Sequence, residues 1–128
     1  MIQVKVPWPP SANRIWRSCV AGGRVRVYLS EEGKAYRRVV QLSCGTHVGL
    51  TGRISIVIYA TPKDKRKRDL DNLCKSSLDA LQAAGWYKDD SQIDQLTIIR
   101  LKSSKTDPHL WVHMTEMATD GDTGDDQS

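Results

Sequence analysis

The sequence predicts an α+β fold: a small single domain in which a mixed β-sheet carries two main helices packed mainly on one face. Three observations predict it. The 128 residues fit one domain, large enough to bury a core unaided and too small for a second. The apolar pattern switches irregularly between the period of a strand and that of a helix, in the order strand, loop, hairpin, helix, strand, helix, two strands. Composition is that of an ordinary soluble globular protein, apart from a complete absence of Phe.

Each element has its own local reason. Ile2, Val4 and Val6 alternate with Gln3 and Lys5, a half-buried strand that Pro7 ends. The segment Pro7-Trp8-Pro9-Pro10-Ser11-Ala12-Asn13-Arg14 reads as an ordered loop, because three prolines remove donors and push the residues before them toward extended geometry. Gly22-Gly23, between Cys19-Val20 and Val25-Arg26-Val27-Tyr28, supplies the positive φ of a tight hairpin turn. Ser30 ahead of Glu31-Glu32 starts a helix expected to run to about Leu42, its hydroxyl capping free amides and the acids facing the positive dipole end. From Arg53 to Ala60, Ile54, Ile56 and Ile58 alternate with Ser55, Val57 and Tyr59, the clearest strand in the chain. Asp69 can cap a second helix whose Leu70, Leu73, Cys74, Leu78 and Leu81 share one face, with Gly85 past its end. Gln95 to Leu101 and Leu110 to Glu116 close the fold as two strands, expected to pair with each other through a turn at Thr106-Asp107-Pro108. The domain is placed at residues 1–118, and residues 119–128, acidic and without an apolar anchor, are expected to be a disordered tail. There is no internal repeat.

Charge and cysteine content narrow the function. The net charge is +4, but Asp120, Asp122, Asp125 and Asp126 all follow Ala118 with no basic residue among them, which leaves residues 1–118 at +8. Such a body favours a polyanionic partner, although charge alone specifies no activity. Cys19, Cys44 and Cys74 are odd in number and have no CxxC spacing, which argues against a disulfide framework and a zinc site and for reduced thiols in a cytoplasmic protein. No apolar run is long enough to cross a bilayer, and Met1 to Val6 alternates rather than forming a signal-peptide core, so neither membrane insertion nor export is expected.

The stretch from Lys63 to Asp90 carries the chemistry. Lys63, Lys65, Arg66, Lys67 and Arg68 run directly into Asp69-Leu70-Asp71-Asn72, and Asp89-Asp90 follows the next helix. A module that only holds nucleic acid has no use for carboxylates in its most positive segment, since each weakens the attraction to phosphate. A divalent metal resolves the conflict, because hard cations bind through a few carboxylates together with phosphate oxygens and water. Two readings of the acids stay open. Asp69 could cap the helix, Asp71 complement its dipole and Lys75 pair with Asp71 or Asp79 at i, i+4. Alternatively Asp69 and Asp71 converge on one ion with Lys75 beside them. Asp89-Asp90 is either a solvated turn or a further ligand, and a helix of about fifteen residues is about 22 Å long, so a ligand there must return from the partner strand or a second subunit. Asn13, Arg14 and Arg17 are either a second phosphate contact or part of a surface loop pinned by Trp8 and Trp16. His47, His109 and His113 lack metal-ligand spacing and are expected to be structural. The chain has no glycine-rich phosphate loop and no nucleophile elbow.

Through these residues the chain resembles the RusA family of Holliday junction resolvases, small endodeoxyribonucleases common in phages and prophages. The resemblance runs close to full length: Pro9-Pro10-Ser11-Ala12-Asn13-Arg14, Ser30 to Arg37 with Tyr36, Arg66-Lys67-Arg68-Asp69-Leu70-Asp71-Asn72, Lys75, Asp79-Ala80-Leu81, Gly85 and Asp89-Asp90-Ser91-Gln92-Ile93. It implies a homodimer that cuts two opposed strands of four-way branched DNA symmetrically, with Mg2+ or Mn2+. It implies Asp69, Asp71 and Asp90 as the metal ligands, with Asp90 matching as the second of its pair, and Lys75 as the basic residue beside them. Asn13, Arg14, Arg17, Lys63, Lys65, Arg66, Lys67 and Arg68 remain the candidate DNA contacts. Trp16, where the family more often has tyrosine, and the acidic tail are departures that leave the acids untouched. The competing expectations are a non-catalytic junction-binding module and a more general nuclease of flaps and forks.

Overall fold

The computed structural model describes residues 2–44, 49–64 and 70–117, with the side chains of residues 12, 13, 44 and 70–72 excepted. In chain order the elements are β1 (Ile2–Pro7), α1 (Ala12–Ile15), β2 (Trp16–Ala21), β3 (Arg24–Leu29), α2 (Glu31–Cys44), β4 (Ile54–Thr61), α3 (Leu70–Ala83), a 3-10 turn (Asp90–Gln92), β5 (Ile93–Arg100) and β6 (His109–Glu116). Four strands form a mixed sheet in the order β1-β6-β4-β5, and β2 and β3 form a separate two-stranded ribbon.

The alternating pattern decides which face of the sheet is buried. Ile54, Ile56, Ile58 and Ala60 of β4 line the inner face beside Leu110, Val112 and Met114 of β6 and Val4 and Val6 of β1, all buried. Tyr36 and Val40 of α2 and Leu73, Ala80 and Leu81 of α3 close over them, so both main helices sit on that face as the two periodicities require. Arg37 Nε and Nη2 both donate to Asp79 Oδ2, at 3.1 and 2.7 Å, and tie α2 to α3.

Two expectations are corrected. The closing strands β5 and β6 do not pair with each other, because β4 lies between them, parallel to β5 and antiparallel to β6. The crossover through α3 returns the chain to the start of β4, which makes β5 a parallel neighbour. Residues 101–108 then cross the end of β4 instead of forming a hairpin, held by Leu101 N–H to Ala60 C=O and Ser104 N–H to Pro62 C=O, each 2.8 Å. The Pro-rich loop, in turn, ends in one helical turn at Ala12–Ile15, where the Ser11 carbonyl accepts from the amides of Arg14 and Ile15. The prolines constrain the chain only as far as Pro10, so helix is free to start just beyond.

The basic run from Lys65 to Arg68, Asp69 with its expected cap, His47 and the tail lie outside the described residues. Among the described residues no helix is long and apolar enough to cross a membrane.

Candidate metal and DNA site

The sheet has two chemically different ends. At one, Pro7 and Thr61 both lie opposite His109, and β5 finishes beside Ala60. The chain therefore leaves β1, β4 and β5 from the same end, and three connections emerge there together. The first leads to α1 with Arg14, the second carries exposed Lys63, and the third carries exposed Lys102 and Lys105. Helix α3 starts at this end with Asp71 in its first turn. Lys102 and Lys105 were missed in the sequence, where Lys102-Ser103-Ser104-Lys105 looks like any polar connection; only the strand order shows where it runs. Lys5 also points here, but its ammonium is paired with Asp107 at 2.8 Å.

Local contacts fix the Pro-rich segment against the helices. α1 packs against both α2 and α3. The Ser30 hydroxyl donates to the Arg14 carbonyl and accepts from the Gly33 amide at 3.1 Å, so one side chain caps α2 and anchors α1. The Arg14 side chain is 70% exposed and 3.8 Å from Glu32, a pair loose enough to leave its charge available. Asn13 belongs to α1, its side chain outside the description, and exposed Arg17 lies on the ribbon.

On α3, Lys75 is exposed one turn beyond Asp71. The helix-pair reading offered it Asp71 or Asp79; Arg37 of α2 pairs with Asp79, the Asp71 side chain lies outside the described residues, and Lys75 makes no ion pair among the described ones.

The acidic pair stands at the other end. Gly85, at φ 93, ends α3 with the Trp86 amide bonded to the Leu81 carbonyl. Tyr87 is buried and donates its hydroxyl to the Leu78 carbonyl at 2.7 Å; burial first, then the charges of Asp90 and Asp79, push its pKa well above the usual value. The next turn is a capping box: Asp89 accepts from the Ser91 amide at 3.2 Å and Gln92 reaches back to the Asp89 amide at 2.9 Å. Hydrogen bonding from that Ser91 amide, together with the Asp90 carboxyl and the Ser91 hydroxyl, holds the Asp89 carboxyl below the ordinary range. Asp89 therefore has a structural task, while the neighbouring Asp90 carboxyl is exposed.

Gln92 is the residue that sequence reasoning undervalued. It is 9% exposed and uses its whole amide: Oε1 accepts from the amides of Lys88 and Asp89, and Nε2 donates to the carbonyls of Leu50 and Gly52, at 2.9 to 3.0 Å. It thereby clamps the acidic turn to the segment entering β4. The signal was present in the Asp-x-x-Gln spacing from Asp89 to Gln92.

Within one protomer the described residues set the helical turn that holds Asp71 and the turn that holds Asp90 at opposite ends of α3. Fourteen residues of α3 rise about 20 Å between Asp71 and the turn that carries Asp90. Ile93, just after Asp90, pairs with Ile54 at the opposite end of β4 from Thr61. Among the described residues no three His, Cys, Asp or Glu side chains cluster as a metal site, with Asp69 and the Asp71 side chain outside the description. The two described histidines have structural contacts: His113 packs edge-on against Tyr59 at 5.0 Å, and His109 Nδ1 lies 2.7 Å from the Asp107 carbonyl.

Comparison with known proteins follows the same residues. The family described as Endodeoxyribonuclease RusA matches residues 7–115, which spans the Pro-rich segment, α3 and the acidic turn. A protein of Enterobacteria phage 82 named crossover junction endodeoxyribonuclease is 38% identical over 120 residues, covering 91% of this chain and 96% of its own. One of the same name from Escherichia coli strain K12 is 36% identical over 121 residues, with the same coverages, and one from Enterobacteria phage HK97 is 37% identical over 101 residues, covering 77% and 81%.

Proposed function

The chain belongs to the RusA family of endodeoxyribonucleases, and from that premise we propose that it is a homodimeric, Mg2+-dependent nuclease that resolves four-way DNA junctions by paired nicks. The observation that carries the reading is the family match over 109 residues of one continuous stretch, 7–115, that holds both the cationic sheet end and the acidic turn. Asp69, Asp71 and Asp90 are the proposed ligands. Their oxygen-only donor set suits a hard divalent cation, Mg2+ or Mn2+, and offers neither thiolate nor imidazole for a softer one. A divalent ion held there supplies acidified water and charge neutralisation at the scissile phosphate. The protein's own groups do the rest. Lys75 faces the charge that accumulates on the phosphate, a fixed cation needing no reorganisation. Arg14, Lys63, Lys102, Lys105 and the run from Lys65 to Arg68 hold the flanking backbone.

What supports the homodimer is the length of α3 between the turn that holds Asp71 and the turn that holds Asp90. Strand β5 is a sheet edge, and Leu96, Ile99 and Leu101 are exposed on or just past it, the kind of edge that proteins cover. Two such edges pairing antiparallel about a two-fold axis set the start of each β5 against the end of the other. Asp90, next to the start of one β5, then approaches the cationic end of the partner, where the partner's own α3 begins. Each catalytic centre would thus take Asp69, Asp71 and Lys75 from one protomer and Asp90 from the other, and two centres related by symmetry suit two opposed strands.

Subunit mixing tests both halves of this reading. Asp71→Asn and Asp90→Asn homodimers should each bind a four-way junction and fail to cut it in Mg2+. A mixed dimer of the two has one centre with both Asn residues and one fully wild-type centre, so mixing should restore single-strand nicking. Wild-type cutting by Asp71→Asn would remove the catalytic assignment. Inactive single variants with no recovery on mixing would return the acids to one protomer. Duplex flaps and forks run in parallel decide between a junction resolvase and a broader structure-selective nuclease.

A further inference from the structure

The β2–β3 ribbon forms a two-stranded sheet of its own and has two unlike faces. Side chains alternate along each strand and cross-strand partners share a face. The register therefore puts Trp16/Leu29, Ser18/Val27 and Val20/Val25 on one side, and Arg17/Tyr28, Cys19/Arg26 and Ala21/Arg24 on the other. The first face turns toward α2 at its base, where a Cβ on Gly33 would meet Leu29 Cδ1 at 2.8 Å and Arg37 lies 6.0 Å from the Trp16 ring centre. The second carries three arginines and a tyrosine and no acid. All three arginines are exposed, and none forms an ion pair among the described residues.

Their arrangement is a line. Arg24 and Arg26, two residues apart on one strand, are separated by about 7 Å. Arg26 and Arg17 are diagonal neighbours across the ribbon at roughly 7–8 Å. The line runs from the Gly22-Gly23 tip to the base, where the Ser30 amide bonds the Ile15 carbonyl at 2.8 Å, next to Arg14. It therefore leads away from the cationic end of the sheet. Phosphates of one DNA strand advance about 3.4 Å each along the axis while winding around it, so neighbours stand about 7 Å apart in space and this pitch matches adjacent phosphates. A two-stranded ribbon is also narrow enough for a major groove about 12 Å wide. Charge favours DNA most strongly near the tip, since Glu31 and Glu32 stand beside Arg17 at the base.

We propose that the arginine face of the ribbon is a DNA-binding arm that grips backbone phosphates of a duplex flanking the branch point. This rests on the reading of the chain as a DNA enzyme, and its test does not require cutting. Full-length wild type, Arg24→Ser/Arg26→Ser and Arg24→Lys/Arg26→Lys are titrated onto a four-way junction and a linear duplex without divalent metal, from about 50 to 200 mM salt. Losing two phosphate contacts should make the slope of log affinity against log salt shallower by about 1.8 in the serine variant on both DNAs, with the lysine variant close to wild type. An unchanged slope in the serine variant overturns the proposal. A changed sedimentation coefficient of the DNA-free serine variant with an unchanged slope also overturns it, and gives the ribbon to subunit contact. If wild type fails to nick in Mg2+ while the slope difference holds, the nuclease reading falls and the arm stands.

Discussion

Replacing Gln92 with Leu removes four hydrogen bonds at nearly constant volume. The partners respond unequally. The amides of Lys88 and Asp89 belong to exposed residues and can turn to water, whereas the carbonyls of Leu50 and Gly52 belong to half-buried residues and are poorly reached. With the first pair largely compensated and the second left short, each costing on the order of 1–2 kcal/mol, the loss should be about 3 kcal/mol. At this domain size that lowers Tm by about 12 °C, near 4 °C per kcal/mol. Gln92→Glu keeps the acceptor but sets a carboxylate oxygen against two carbonyl oxygens, so it should be no more stable than the Leu variant. Urea unfolding followed by Trp fluorescence reads the loss directly, since Trp86 is buried beside the clamped segment. Because the same clamp aims the acidic turn, nicking by the Leu variant below its Tm should fall further than its junction affinity. A Leu variant that unfolds within about 1 kcal/mol of wild type, below the cost of even the two half-buried carbonyls, would refute the argument.

Two other consequences concern stability. The hydroxyls of Tyr36 and Tyr87 are pushed well above their ordinary pKa by burial, and each must stay protonated to donate, to the Pro7 and Leu78 carbonyls. A raised folded pKa gives stability that is complete below the unfolded value of about 10 and is lost as pH rises beyond it. The urea midpoint of wild type should drop above about pH 10, and Tyr36→Phe/Tyr87→Phe should flatten that drop while losing about 1 kcal/mol per hydroxyl at neutral pH; equal alkaline slopes would contradict it. Gly49→Ala should destabilise by about 1–3 kcal/mol, because its Cβ would collide with the Gly85 carbonyl oxygen, a backbone atom that cannot swing aside. Gly52→Ala should cost less, since what it meets at 2.8 Å is the flexible Glu116 side chain; similar melting temperatures for the two would be the contrary result.

The sequence by itself determined the elements and the chemistry on them. Alternation at Ile54 to Ile58 and the helical spacing of Leu73, Leu78 and Leu81 are local signals, because a side chain's direction follows from its position in a strand or helix. The basic run against Asp69 and Asp71, the pair Asp89-Asp90 and the Pro-rich motif were likewise legible, since charge and covalent constraint travel with the residue. Only the tertiary structure decided who neighbours whom. No local pattern says that β4 separates β5 from β6, because a strand's two edges look alike until its partners are chosen. That choice gathered Arg14, Lys63, Lys102 and Lys105 at one end of the sheet and left Asp90 at the other. It also gave Asp79 to Arg37 and Asp89 to a cap, so these two carboxylates have structural work. Residues far apart in the chain compete for the same partners, and the packing of α2, α3 and the acidic turn settles that competition.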